Sequence, residues 1–211
     1  MEQLVQAVVN GLSKAGLVQI EVSARHVHLS QQDLETLFGP GVALNPKREL
    51  SQQGQYLAEE RLNLIGLKGK KNNVAILGPV RKKTQVELSR SDCVELGILA
   101  PLRESGDVSG SAKIILEGPY GKLELSEGVI VAQNHIHVPM DMAKELHLKD
   151  KERVSVHVFS ERPIIFQNVV IRVDSKFSFR MHIDIDEANA AAISGFALGK
   201  IIQKTSHLSE E

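Results

Sequence analysis

The strongest constraint in this chain is a pattern that occurs twice. A strand-like alternating stretch ends in His-x-His and runs directly into a helical stretch. "EVSARHVHLSQQDLETLF" (21–38) carries His26 and His28, and "VAQNHIHVPMDMAKELHL" (131–148) carries His135 and His137. Each unit is followed later by a strand, an acidic cap and a short helix, in "TQVELSRSDCVELG" (84–97) and "FRMHIDIDEANAAA" (179–192). Glu87 and His182 occupy matching places in that second pair. The order His-x-His, Glu, His-x-His, His implies two related halves.

Reading along the chain supports a β-rich fold. Ile20, Val22, Ala24, His26 and His28 read as one face of a single alternating run. Ser30 with Asp33 three places on resembles a capping box, which predicts a short helix over "QQDLETLF". Residues 39–73 read as connections around one or two strands and a helical turn. "NVAILG" and "TQVELS" read as strands, "SDCVELG" as a brief helix, and "LRESGDVSGS" as a Gly/Ser-rich loop before another strand. Pro139 predicts a helix over "PMDMAKELHL", with proline in its first turn. "RVSVHVFS", "IIFQNVVIRV" and "FSFRMHIDI" are three further strands, followed by an Ala-rich helix with Asp186 near its start. Many short strands with few short helices point to barrels or sandwiches, not to a βαβ sheet.

Composition narrows the function classes. With 211 residues, 42% apolar and 24% charged, the chain can bury the core of one large or two small domains. A net charge of −1 and 4% aromatics argue against a dedicated nucleic-acid binder. No apolar run approaches the ~20 residues of a membrane span. The N-terminus lacks the basic start and long apolar stretch of a secretory signal. Cys93 is the single cysteine, which allows no internal disulfide and favours a reducing compartment. It reads as a small buried hydrophobe, not as a nucleophile. Residues 1–16 form an amphipathic helix, with Leu4, Val5, Val8, Val9 and Leu12 at helical spacing and Gly16 as its stop. That helix either packs on its own domain or docks a partner.

The histidine pairs carry the chemistry. Strand residues two apart point to one side, so each pair can aim two imidazoles at one point. Two histidines and a third donor are the usual protein complement of a zinc site with an open position. The chain offers two such sets: His26, His28 and Glu87, and His135, His137 and His182. Two such ions would attract phosphate or polarise a carbonyl. Arg81, six residues before Glu87, can grip phosphate in a bidentate fork. Arg25 and Arg90 rank lower as cationic candidates. Ser105 lies in the Gly/Ser-rich loop, where the ordinary reading is a turn. His147, expected on a helix, His157, in a strand, and His207, in the C-terminal tail, read as structural or solvated.

Taken together, "ARHVHLS", "GPVRKKTQVELSRSD", "LRESGDVSGS" and "QNHIHVP" closely resemble the PduL-type phosphate acyltransferases of bacterial microcompartments, from about Val18 to about Lys204. The resemblance implies an enzyme that interconverts acyl-CoA plus phosphate with acyl-phosphate plus CoA, acting on propanoyl or acetyl chains. It implies two small β-barrels capped by short helices, with the active site between them. One barrel would take residues 17–25 plus 133–204 and the other 26–132, with 1–16 as an N-terminal helix and 205–211 as a tail. It implies two zinc ions, one on His26, His28 and Glu87 and one on His135, His137 and His182. Arg81 would clamp phosphate and Ser105 would contact the reacting group. CoA would meet Arg48, Leu77 and Asn189. Residues 1–16 would be an encapsulation peptide that, through shell proteins or co-cargo, directs the enzyme into the lumen of a bacterial microcompartment within the cytoplasm. A homo-oligomer is expected, with no nucleic-acid or membrane partner. The rival readings are a zinc-dependent thioester or acyl-phosphate hydrolase and a structural zinc module. Three ligands per set and no cysteine weigh against the latter, because structural sites are usually closed by four ligands.

Overall fold

In a computed structural model of the chain, residues 2–202 are described, with side chains from Ala7 onward. The tail at 205–211, His207 and the side chains of Leu4 and Val5 lie outside the described residues. The chain opens with helix α1 (Glu2–Lys14), strands β1 (Leu17–Ser23) and β2 (His26–His28), and helix α2 (Gln31–Phe38). Strands β3 (Pro46–Glu49), β4 (Tyr56–Ile65), β5 (Lys70–Gly78) and β6 (Gln85–Glu87) follow, then helix α3 (Arg90–Leu96). Next come β7 (Leu102–Arg103), β8 (Ala112–Glu117), β9 (Lys122–Ala132), β10 (His135–Val138) and helix α4 (Met140–Glu145). The chain continues through β11 (Arg153–Phe159), β12 (Ile165–Val173), β13 (Arg180–Asp184), helix α5 (Ile185–Ala190) and β14 (Ala197–Ile202).

Two compact units result. The first takes residues up to Val22, Asn134–Ile183 and the chain from Glu187 on. Its strands close into a barrel in the order β1-β13-β10-β12-β11-β14 around Val18, Ile136, Val156, Ile171 and Met181, all essentially inaccessible. The second takes Ser23–Gln133 and Asp184–Asp186. Here β8 pairs with both β4 and β9, so β4-β5-β2-β6-β9-β8 also forms a ring of six, with β3 and β7 attached outside it. Leu29, Leu62, Ile76, Leu116 and Ile130 fill its core.

The two rings repeat one connectivity. β2 runs parallel to β5 and antiparallel to β6, and β10 runs parallel to β12 and antiparallel to β13. Each half of the chain begins with a leading strand, β1 or β9, that ends three residues before its first paired histidine. β1 nonetheless belongs to the ring built by the later half, and β9 to the ring built by the earlier half. The single alternating run expected from Ile20 to His28 is therefore broken. Ala24 and Arg25 separate β1 from β2, and Val22 is exposed at its end. Periodicity does not change at this break, which is why alternation conceals it.

The helices are set by local chemistry. Ser30 accepts the backbone N–H of Asp33 at the start of α2, a cap worth about 1 kcal/mol. The reciprocal half of the box is absent there, because the Asp33 carboxylate receives the hydroxyl of Thr84. Ser89 and Asp92 make the complete box on α3. Helix α4 is shorter than expected: Pro139 is its cap, one place before the first turn, and the helix ends at Glu145. His147 is thus not helical. It has φ +53°, its N–H meets Lys144 O, and Leu148 N–H meets Ala143 O. This is a Schellman ending, as at Gly97 of α3 and Ala192 of α5. Residues 39–73 hold the expected strands, β3 and β4, and the start of β5, but no helix. Strands β7 and β14 were not legible; β7 has two residues.

Two turns seat the helices of the second unit. In "GLKG" (66–69) the Lys68 N–H donates to Leu96 O at the end of α3, and in "GPYG" (118–121) the Tyr120 N–H donates to Leu37 O at the end of α2. A Cβ on Gly66 would stand 2.2 Å from Leu96 O, and one on Gly118 would stand 2.2 Å from Leu37 O. Only glycine admits this approach. Gly118→Ala and Gly66→Ala should each lower stability by about 1–3 kcal/mol in urea unfolding. Gly11→Ala, in a helix with nothing within 4 Å of the new methyl, should be neutral or stabilising.

Candidate metal and anion site

Each donor set is assembled by strand register. His26 lies directly across β2–β6 from Glu87, and His135 lies directly across β10–β13 from His182. Side chains opposite one another on one sheet face have Cβ atoms about 5 Å apart. The second histidine, two residues on, shares that face. In both sets the donor atoms lie within 4.8 Å of one another. Donors of one tetrahedral ion at about 2 Å stand roughly 3.4 Å apart, so small side-chain rotations close either set on a metal.

The first set is buried and polarised. His26 and His28 are 7% and 3% exposed. His26 Nδ1 faces Ala24 O at 2.9 Å and His28 Nδ1 faces Leu77 O at 3.1 Å. A carbonyl only accepts, so Nδ1 carries the proton and Nε2 is left as the ligand nitrogen. Burial, the neighbouring His26 and Arg81 together push His28 down to about 3, so it is neutral. Burial also opposes charge on His26 and Glu87, but their mutual attraction wins at 3.5 Å. It holds Glu87 well below the carboxylate range and His26 above its usual value. His28 and Glu87 thus already stand in the states a metal needs, neutral imidazole and ionised carboxylate, and a metal at the His26 ring nitrogen would take the place of the proton that Glu87 favours there. The donor chemistry therefore fits a divalent ion.

Arg81 and Ser105 lie beside this set. The Arg81 N–H donates to Leu29 O at 2.8 Å, which anchors its backbone next to the end of β2. Its Nη1 is 3.3 Å from Ser105 Oγ, and Ser105 Oγ donates to Glu87 Oε1 at 2.9 Å. Sequence reasoning missed Gln85, which binds both Ser105 and Glu87. Its position two residues before Glu87, on the same strand face, was the available signal.

The second set is built of three imidazoles. The His135 ring stacks on His182 with centroids 5.2 Å apart, and His137 lies 4.7 Å and 4.8 Å from the two. Phe177 stacks on His137 at 4.0 Å. Glu21 on β1 reaches Arg180 Nε at 3.3 Å, with His182 Nδ1 3.9 Å away. Phe177 and Glu21 carried no motif that pointed to them.

The remaining candidates fall elsewhere. Arg48, Leu57 and Leu77 share one cross-strand row, in which Leu77 O holds His28. Asn189 lies on α5 in the first unit. Arg25 pairs with buried Asp92 at 2.8 Å, and Arg90 binds Ala100 O, so both brace structure. Cys93 is buried, and burial raises its thiol above the usual value. His157 sits in β11.

Chemically, the chain can hold two divalent ions, the one on the anionic set having a guanidinium close by that suits an anion. Comparison with known proteins gives the family. The family described as phosphate propanoyltransferase matches residues 19–194. Phosphate propanoyltransferase of Clostridioides difficile is 43% identical over 97% of this chain and 98% of its own. The enzymes of that name from Listeria monocytogenes and Thermotoga maritima are 47% and 48% identical, over 89% and 91% of this chain and 88% and 92% of theirs. The chain is an acyltransferase of the phosphate-using class. It belongs to the phosphate propanoyltransferase family.

His28→Ala should lower the divalent metal retained after dialysis by about one equivalent per chain, His137→Ala by another, and the double variant by both. Elemental analysis of the folded variants checks this.

Proposed function

We propose that the chain interconverts a short-chain acyl-CoA, propanoyl or acetyl, plus phosphate with acyl-phosphate plus CoA, by direct attack of phosphate on the thioester. The observation that carries this reading is the link from Arg81 through Ser105 to Glu87, which sets a fixed cation beside an anionic metal-donor set. His26, His28 and Glu87 would hold one zinc ion and His135, His137 and His182 a second. Zinc, when bound, supplies positive charge that tempers the repulsion of phosphate and polarises a carbonyl.

The chain's own groups do the rest. Arg81 grips phosphate through its guanidinium and orients one oxygen toward the thioester carbon. Ser105 steadies that guanidinium and contacts the reacting group. A phosphate oxygen forms the new C–O bond, the C–S bond breaks, and CoA leaves as thiolate. A thiolate leaves readily, so no strong acid is required. Buried Cys93 and the imidazoles committed to the donor sets offer no acyl acceptor. Arg48, Leu77 and Asn189 are the proposed CoA contacts.

Phosphate-dependent release of CoA from propanoyl-CoA tests the reading. Release at the same rate without phosphate would establish the hydrolase alternative. Arg81→Lys keeps the charge but loses the fork, and should raise KM for phosphate about tenfold with little change in KM for propanoyl-CoA.

Residues 1–16 are proposed to direct the enzyme into a bacterial microcompartment. Val8, Val9 and Leu12 are exposed on α1, leaving an apolar stripe open to a shell protein or co-cargo. Deletion of 1–16 should leave kcat unchanged and abolish co-localisation with shell proteins in cells. Loss of folding on deletion would assign the helix to its own domain.

A further inference from the structure

We propose that Gln85 is the positioning residue that makes Glu87 a one-oxygen ligand. This rests on reading His26, His28 and Glu87 as a metal-donor set. Gln85 is 2% exposed and stands two residues before Glu87 on β6, so both side chains leave the same strand face. Its Nε2 carries two protons, and both are engaged. One goes to Glu87 Oε1 at 2.6 Å and the other to Ser105 Oγ at 2.9 Å. Its Oε1 accepts the N–H of Gly106 at 2.7 Å. Only one orientation of the amide satisfies all three, since a flip would set its carbonyl oxygen against a carboxylate and its amino group against an N–H.

Ser105 donates its single proton to the same Glu87 Oε1 at 2.9 Å. Oε1 therefore takes two hydrogen bonds, whereas Oε2 lies 3.5 Å from His26 Nε2. A carboxylate oxygen already engaged by two donors is a weak second ligand, so Glu87 offers Oε2 alone. Two imidazoles and one oxygen leave a coordination position open, whereas a two-oxygen carboxylate would fill it. The same amide pins Ser105 and Gly106, and Ser105 accepts from Arg81 Nη1 at 3.3 Å. Gln85 thus also sets the guanidinium proposed to grip phosphate. At the matching place in the other unit, two residues before His182, stands Arg180, paired with Glu21. A histidine has one ligand nitrogen to offer and needs no such restraint.

Gln85→Met keeps the volume and removes all three hydrogen bonds. In cobalt(II)-loaded protein, four-coordinate cobalt absorbs visible light much more strongly than higher-coordinate cobalt. The variant should lose absorption per bound cobalt severalfold and raise KM for phosphate about tenfold, with KM for propanoyl-CoA unchanged. A Gln85→Met protein with the wild-type cobalt spectrum and the wild-type KM for phosphate overturns the proposal. If Gln85→Met does not fold, Ser105→Ala removes one of the two bonds to Oε1 and should give a smaller spectral loss in the same direction. An unchanged spectrum there overturns it equally. Wild-type protein that takes up no cobalt would instead overturn the metal reading of the donor set, a separate failure.

Discussion

Antiparallel pairing in two pairs of short strands, β2 with β6 and β10 with β13, is the interaction on which the rest depends. It sets His26 opposite Glu87 and His135 opposite His182. A slip of one residue would turn the third donor to the other face of its sheet, and the donor set would disappear. The strands are only three to five residues long, so their register must be imposed by neighbours. The parallel partners β5 and β12 and the closed rings provide that restraint. A ring leaves no edge along which a strand can shift at low cost.

Around the anionic set, each polar group constrains the next. The Ala24 and Leu77 carbonyls choose the imidazole tautomers, and Glu87 is held ionised against its own burial by His26. Ser105 and Gln85 occupy the far oxygen of Glu87 and tie in Arg81 and the Gly106 backbone. Buried polar groups are stable only when fully partnered, so this network is also a reason for the loop after β7 to hold one conformation. The three-histidine set uses other supports, a stacked phenyl ring and a glutamate from the exchanged strand β1. The two halves keep one framework and differ where the chemistry differs.

Much of this was legible from residue spacing. The His-x-His pairs, the matched positions of Glu87 and His182 and the Ser30 cap follow from period-two alternation and from local hydrogen bonding, which depend on near neighbours in the chain. The break between β1 and β2 was not legible in the alternation, because Ala24 and Arg25 preserve it while the chain passes from one ring to the other, and only the family resemblance set a boundary between residues 25 and 26. Nor was the end of α4, where His147 takes the left-handed position that glycine or asparagine usually fills. Gln85 carries no motif of its own, and a glutamine on a strand says nothing about the loop that will close over it.

The sequence by itself determined the donor types, their pairing at i and i+2, and the duplicated order of strand, histidines and helix. These are properties of short segments, carried by side-chain periodicity alone. Tertiary structure decided the register that sets Glu87 and His182 opposite their histidine pairs, and that Arg81, Ser105, Gln85 and Glu87 form one network. Those outcomes depend on pairings between residues from 18 (Glu87 and Ser105) to 183 (Leu17 and Lys200) positions apart along the chain, which no local pattern encodes.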